Sequence, residues 1–189
     1  MGDALLVMDV QNGIVERLGS AGAALLDRVA AALEAARHHG LPVIFVRVAF
    51  REGAPEISPR NRAFAALASA QAMSESAPAT QVHAAVAPRP GEIVVVKRRV
   101  SAFTGSDLDV VLRSGSRDGL ILTGIATSGV VLSTTRQAAD LDYRITILRD
   151  ACADADEEVH RVLMDKVLPR QAVVTTSDEW MATLDRPAS

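Results

Sequence analysis

The chain carries one cysteine, Cys152, in 189 residues, and aromatic side chains make up only 3% of it. A lone cysteine excludes an internal disulfide and any metal site built from several thiolates, and it suits a reducing cytoplasm, the expected location. So few aromatics leave no platform on which nucleic-acid bases could stack. Lys and Arg number 20 against 23 Asp and Glu, so no basic field favours nucleic acid either. No apolar run approaches the roughly 20 residues that span a bilayer. The N-terminus runs straight into a strand pattern, without the basic and apolar regions of a secretory leader. What remains is one domain over residues 1–189, with a sizeable core and neither nucleic acid nor membrane as a partner.

What is present is alternation. Ala4-Leu-Leu-Val-Met8 is an unbroken apolar run, the pattern of a strand covered on both faces, and it stops at Asp9-Val-Gln-Asn-Gly13. Leu25, Leu26, Val29, Leu33 and Ala36 recur at helical spacing, and Gly40-Leu-Pro42 ends that helix. Val43–Val48 is a second strand. Residues 49–90 hold five prolines and read as one long excursion with a short helix near Arg62–Ala70. Ile93–Val96 is a third strand running into Lys97, and Ser106-Asp-Leu-Asp109 predicts a helix start. Leu120–Thr123 and Arg144–Leu148 are the fourth and fifth strands, the latter closed by Arg149-Asp150. A helix over Glu157–Leu168 and a sixth strand, Ala172–Thr175, precede a tail containing Trp180. Six such cycles predict an α/β fold, a three-layer α/β/α arrangement around a mostly parallel, doubly wound sheet.

Parallel strands bring their carboxyl ends to one edge, where open sheets of this kind bind ligands. Three polar features fall there: Asp9, Lys97 and the small-residue helix start Thr127-Ser-Gly-Val130. An acid and an amine sharing a partly buried crevice perturb each other and can share proton transfer. The alternative is that Asp9 caps a turn and Lys97 is a solvated strand-end charge.

With these residues in view the chain resembles the isochorismatase-like hydrolase superfamily, which includes nicotinamidases, N-carbamoylsarcosine amidohydrolases and isochorismatases. Leu6-Val-Met-Asp-Val-Gln-Asn12 is similar to the family's first strand with its catalytic Asp. Lys97-Arg-Arg-Val-Ser-Ala-Phe103 is similar to K-x-x-x-S-A-F, whose Lys is the second catalytic residue. Thr123-Gly-Ile-Ala-Thr127 through Arg136 is similar to G-x-x-T-x-x-C-V-x-x-T-x-R. The resemblance runs from Leu5 to about Thr176. It implies catalytic roles for Asp9 and Lys97, a cis peptide at Ile125–Ala126, and an oxyanion site formed by the N–H groups of Ala126 and Val130. It also implies association into a homodimer or higher homo-oligomer.

The resemblance departs at one position. With Gly124, Thr127, Thr134 and Arg136 in register, the family's nucleophilic cysteine falls on Val130. Valine cannot attack a carbonyl, so the thioester route of the amidases is closed. Cys152 follows the fifth strand and reads as a small core or loop residue. Some isochorismatase members also lack the cysteine and hydrolyse an enol ether with a proton from the Asp. The resemblance therefore implies a hydrolase with Asp9 as general acid/base and a small, carboxylate-bearing substrate. Nicotinamidase-like members carry an Asp-x-His…His cluster after the second strand. Residues 47–60 contain no histidine, so the expectation is no metal and no cofactor. Gln11, Thr127 and Ser128 are candidate substrate contacts. Phe50 and Phe103 are either pocket walls or ordinary core. Arg47, Arg51, Arg60, Arg98 and Arg99 either favour an anion in the crevice or are scattered solvated charges.

Overall fold

The computed structural model describes residues 2–66 and 73–185. Six strands form one sheet: β1 (Gly2–Met8), β2 (Val43–Val48), β3 (Ile93–Lys97), β4 (Arg117–Ile125), β5 (Arg144–Ala153) and β6 (Val173–Thr175). Their spatial order is β3-β2-β1-β4-β5-β6, and every neighbouring pair is parallel. Because β1 lies in the middle, the chain winds outward through β2 and β3, then returns to the other side of β1 to lay down β4. The reversal puts a switch point between the carboxyl ends of β1 and β4, the place where open sheets of this kind bind ligands.

The unbroken apolar runs follow from burial on both faces. Ala4, Leu6 and Met8 of β1 join Ile44 and Val46 of β2 in one core, while Leu5, Val7, Val43 and Phe45 join a second core on the opposite face. The first core is closed by α4 (Leu108–Ser114), α5 (Leu132–Asp140) and the turns around Met164 and Leu168 that follow α6 (Glu157–Val162). The second is closed by α2 (Ser20–His38), through Leu25, Val29, Leu33 and Ala36, and by Trp180 of α7 (Ser177–Leu184). Two short helices, α1 (Asn12–Val15) and α3 (Arg62–Ala65), complete the set.

Several boundaries differ from the sequence reading. The fifth strand does not close at Arg149-Asp150 but continues to Ala153. Its register against β4 jumps from Leu122↔Ile147 to Gly124↔Cys152, so the polar pair rides on a bulge within the strand. The helix expected to open at Ser106 starts one residue further on: Asp107 is its N-cap, α4 begins at Leu108, and Ser106 Oγ accepts from the Leu108 N–H at 3.3 Å. The helix after Glu157 is regular only to Val162, then widens over Leu163–Val167. The tail around Trp180 is a helix, α7, opened by a capping box between Thr176 and Glu179. Of the short helix expected near Arg62–Ala70, the first turn is α3, and residues 67–70 lie outside the described residues.

Candidate active site

Asp9 follows the last residue of β1. Its N–H still donates to the Val46 carbonyl at 2.7 Å, but its φ of 56° turns the chain out of the sheet. Left-handed backbone is uncommon outside glycine, and Asp is among the side chains that adopt it. Lys97 ends β3, two strands away in space. Its ammonium lies 2.8 Å from Oδ2 of Asp9. The other two hydrogens have acceptors as well, since Lys97 Nζ donates to the carbonyls of Arg99 at 3.0 Å and Val100 at 2.9 Å. An ammonium has three donors and no acceptor. Here all three are used.

Both groups are buried, Asp9 at 5% exposure and Lys97 at 2%. A solvated strand-end lysine, one of the sequence alternatives, is thereby overturned. Burial pushes the Asp9 carboxyl above its ordinary range, against the opposing pull of the Lys97 charge. Oδ1 of Asp9 has no hydrogen-bond donor among the described residues. A buried carboxyl oxygen without a donor is costly in the ionised form and tolerable in the protonated one.

The segment after Lys97 is clamped onto α5. Thr134 Oγ1 accepts from the Ala102 N–H at 3.0 Å, and Ser101 Oγ donates to Oε1 of Gln137 at 2.7 Å. Two stretches that the sequence singled out separately, Lys97–Phe103 and Thr123–Arg136, are thus locked together. The joint between β4 and α5 contains a cis peptide at Ile125–Ala126, followed by a wide helical turn over Thr127–Val131. Gly124, just before it, has a φ of 141°, and a Cβ there would lie 2.1 Å from the Met8 carbonyl oxygen. Only glycine lets β4 pass so close to the end of β1.

The remaining sequence candidates separate into distinct places. Val130 is buried in the first core beside Val131, and Ala126 is half-buried at the start of the turn. Ser128 is exposed, with its N–H donating to Asp154 at 2.7 Å. Thr127 is fully buried, and its hydroxyl is 2.7 Å from Nδ1 of His160. His160, on α6, was missed by sequence reasoning because no local motif contains it. Burial holds its pKa below the ordinary range, with the Arg149 charge acting the same way. Gln11 is a brace: its amide donates to the carbonyls of Val48 (3.0 Å) and Thr80 (2.7 Å) and accepts from the Val48 N–H (2.8 Å). That use of the amide corrects its reading as a free substrate contact. Phe50 packs edge-on against Phe64 with ring centres 5.4 Å apart, and Phe103 lies against Tyr143 at 5.8 Å, so both occupy the core alternative.

Four of the five arginines are not scattered, whereas Arg60 is exposed, as the solvated alternative has it. Arg51 pairs with Glu56 at 2.6 Å, and Arg99 donates to the Glu56 carbonyl at 2.9 Å. Arg47 donates to the Glu75 carbonyl at 3.0 Å, while Arg98 meets the Glu75 carboxylate and the Ala49 carbonyl. These contacts tie Glu56 and Glu75 of the excursion to the ends of β2 and β3. No cluster of three or more His, Cys, Asp or Glu side chains suited to a metal occurs among the described residues. Cys152 is in β5 rather than after it, packed in the first core, and burial pushes its thiol up to about 12.

Comparison with known proteins gives this fold and its acid–lysine pair a family. Residues 3–179 match the family model described as the isochorismatase domain. The chain belongs to the isochorismatase family. It is 32% identical to the isochorismatase family protein YwoC of Bacillus subtilis (strain 168), over 94% of this chain and 92% of that one. It is 34% identical to the ureidoacrylate amidohydrolase RutB of Stutzerimonas stutzeri (strain A1501), over 82% of this chain and 71% of the relative. Among solved structures, a cysteine hydrolase from Pseudomonas syringae pv. phaseolicola 1448A superposes with a TM-score of 0.89 at 25% identity, over 97% of this chain and 92% of that one. The chain is an isochorismatase-family hydrolase. No helix among the described residues is long and apolar enough to cross a membrane.

Proposed function

We propose that this hydrolase works without a cysteine nucleophile and without a metal, on a small carboxylate-bearing substrate, with Asp9 as its general acid/base. The observation that carries the reading is the Asp9–Lys97 pair: one carboxyl oxygen 2.8 Å from the ammonium and the other without a donor among the described residues. Burial pushes the Asp9 carboxyl upward, the direction that a general acid needs. Lys97, held by two carbonyls, keeps the carboxyl oriented and offsets the charge left when the proton departs. Val130 stands where the amidase relatives have the attacking sulfur, so water supplies the new oxygen directly. For an enol ether, Asp9 protonates the vinyl carbon and water adds to the resulting oxocarbenium carbon. The hemiketal then collapses to an alcohol and a carbonyl compound, and the proton released by the added water restores Asp9. The N–H groups of Ala126 and Val130 and the Ser128 hydroxyl, at the mouth of the β4–α5 turn, are the groups proposed to meet the substrate.

A second reading is a binding protein that has kept the fold without turnover, favoured by the aliphatic side chain of Val130 in the core. The test is a panel of carboxylate-bearing enol ethers, amides and ureides, assayed with the wild type, Asp9→Asn and Cys152→Ser. Turnover of any member that vanishes in Asp9→Asn and persists in Cys152→Ser supports the reading. Saturable binding without turnover supports the binding protein. We further propose that the chain acts in the cytoplasm and is at least a dimer, a state that light scattering reads directly.

A further inference from the structure

Behind the β4–α5 turn, on the side of the sheet covered by α2, lies a cavity of about 490 Å³. None of Asp9, Lys97 and Val130 lines it. Its apolar wall comes from Ala24 and Leu25 of α2, and its polar wall from Arg28, Asp150, Asp154, Glu157 and His160. The charges on that wall are uneven. Arg28 is matched by Asp150 at 3.7 Å and Asp178 at 3.1 Å. Asp154 and Glu157 form no ion pair among the described residues. His160 gives Nδ1 to the Thr127 hydroxyl, and its other ring nitrogen has no partner among the described residues. Cys152 also contributes to the wall, but its thiol faces the Leu122 carbonyl and offers no thiolate.

A concave, mostly apolar space with a few convergent polar groups is the usual form of a small-molecule site. Here the unmatched charge is negative. We propose that the cavity is a second site, separate from the Asp9–Lys97 pair, taking a small organic cation: an aliphatic or alicyclic ammonium whose hydrocarbon body rests on Ala24 and Leu25 while its charge meets Asp154 and Glu157. The same two elements that would hold the cation also hold the candidate active-site turn. His160 touches Thr127 at 2.7 Å, and Asp154 accepts from the Ser128 N–H at 2.7 Å. Occupancy therefore bears on the turn through two hydrogen bonds. A ligand shifts an equilibrium only through such differential contacts. The charged groups facing His160 are Arg149, Asp154 and Asp165.

The test uses the full chain at pH 8 with cyclohexylammonium as probe and cyclohexanol as its neutral counterpart, followed by calorimetry and by the imidazole resonances of His160. Saturable binding of the ammonium, with the alcohol weaker by about tenfold or more, is the expected result. Glu157→Gln should weaken the ammonium and leave the alcohol unchanged. Ala24→Leu, which keeps a helix-forming residue on α2, should remove binding of both by filling the space. The His160 resonances should move on titration in the wild type and stay fixed in Ala24→Leu. Equal affinity for the two probes, binding that survives Ala24→Leu, or no saturable binding to the wild type would overturn the proposal. No readout involves turnover, so the outcome stands apart from the role given to Asp9.

Discussion

The ammonium of Lys97 and Oδ2 of Asp9 meet at 2.8 Å in a place that water barely reaches. Burial lifts the carboxyl more than the ammonium lowers it, so its folded pKa lies above the ordinary value of an aspartate. An acid raised in this way binds more protons in the folded than in the unfolded chain. Its contribution to stability is complete below the unfolded pKa and is lost as pH rises through the folded one. Urea titrations from pH 4 upward should therefore show a falling component, at most about 1.4 kcal/mol per pH unit, that Asp9→Asn removes. A pH dependence identical in wild type and variant would contradict the upward shift.

Lys97→Met separates the pair's two effects. Removing one member of a buried pair typically costs about 3–5 kcal/mol because the other charge is left uncompensated. Asp9 can escape part of that cost by taking up a proton, which is easier at pH 5 than at pH 8. The expected loss is near the lower figure at pH 8 and clearly smaller at pH 5. Equal losses at both would mean that the carboxyl does not respond to its partner.

How much of this was visible in the sequence depends on the distance over which each feature is encoded. The strands with continuous apolar runs, β1 through β4, were legible because burial on both faces leaves no other composition. Asp9 and Lys97 were legible because parallel strands bring their ends to one edge. The true end of β5 was not, because Arg149 and Asp150 sit on a bulge and imitate a strand terminus. The helix α7 carried a readable signal, Thr176-x-x-Glu179, that the tail reading passed over. The braces had none. Gln11 reaches backbone 37 and 69 residues away, and Thr127 meets a histidine 33 residues on, so only the folded register brings them together.

Gly124→Ala tests the crossing of β4 over β1. The added methyl would stand 2.1 Å from a backbone oxygen, and no side-chain rotation relieves that contact. A loss of about 3 kcal/mol or more in chemical denaturation is expected. Asp9 lies next to Met8, the residue the methyl would strike, so turnover should fall with stability. A variant as stable as the wild type would mean that the two strands are farther apart than described.

Cys152 should be silent chemically. A thiol pushed up to about 12 and packed in the core supplies almost no thiolate at neutral pH. Folded protein at pH 8 should resist iodoacetamide for as long as it stays folded, and urea-unfolded protein should be alkylated promptly. Rapid labelling of the native chain would show an accessible sulfur and reopen its role.

The C-terminal helix offers a measurement with its own built-in probe, since Trp180 is the only tryptophan and lies buried against α2. Two clamps hold the start of α7. Thr176 and Glu179 form the capping box, and Asp150 accepts from the N–H and hydroxyl of Ser177 at 2.7 and 2.6 Å. Thr176→Ala alone should cost about 1 kcal/mol and leave the tryptophan emission unchanged, because Asp150 still ties the first turn down. Asp150→Ala alone also frees Arg28 from its more distant partner, but leaves the box intact. With both clamps removed, the first turn of α7 has no side-chain acceptor for its free N–H groups, and the helix should fray before the sheet unfolds. The double variant should then lose more than the two single losses combined and show a red-shifted emission in conditions where far-ultraviolet dichroism still reports an intact sheet. Strict additivity, with Trp180 shielded throughout, would mean that burial of the tryptophan alone anchors the helix and that the clamps act independently.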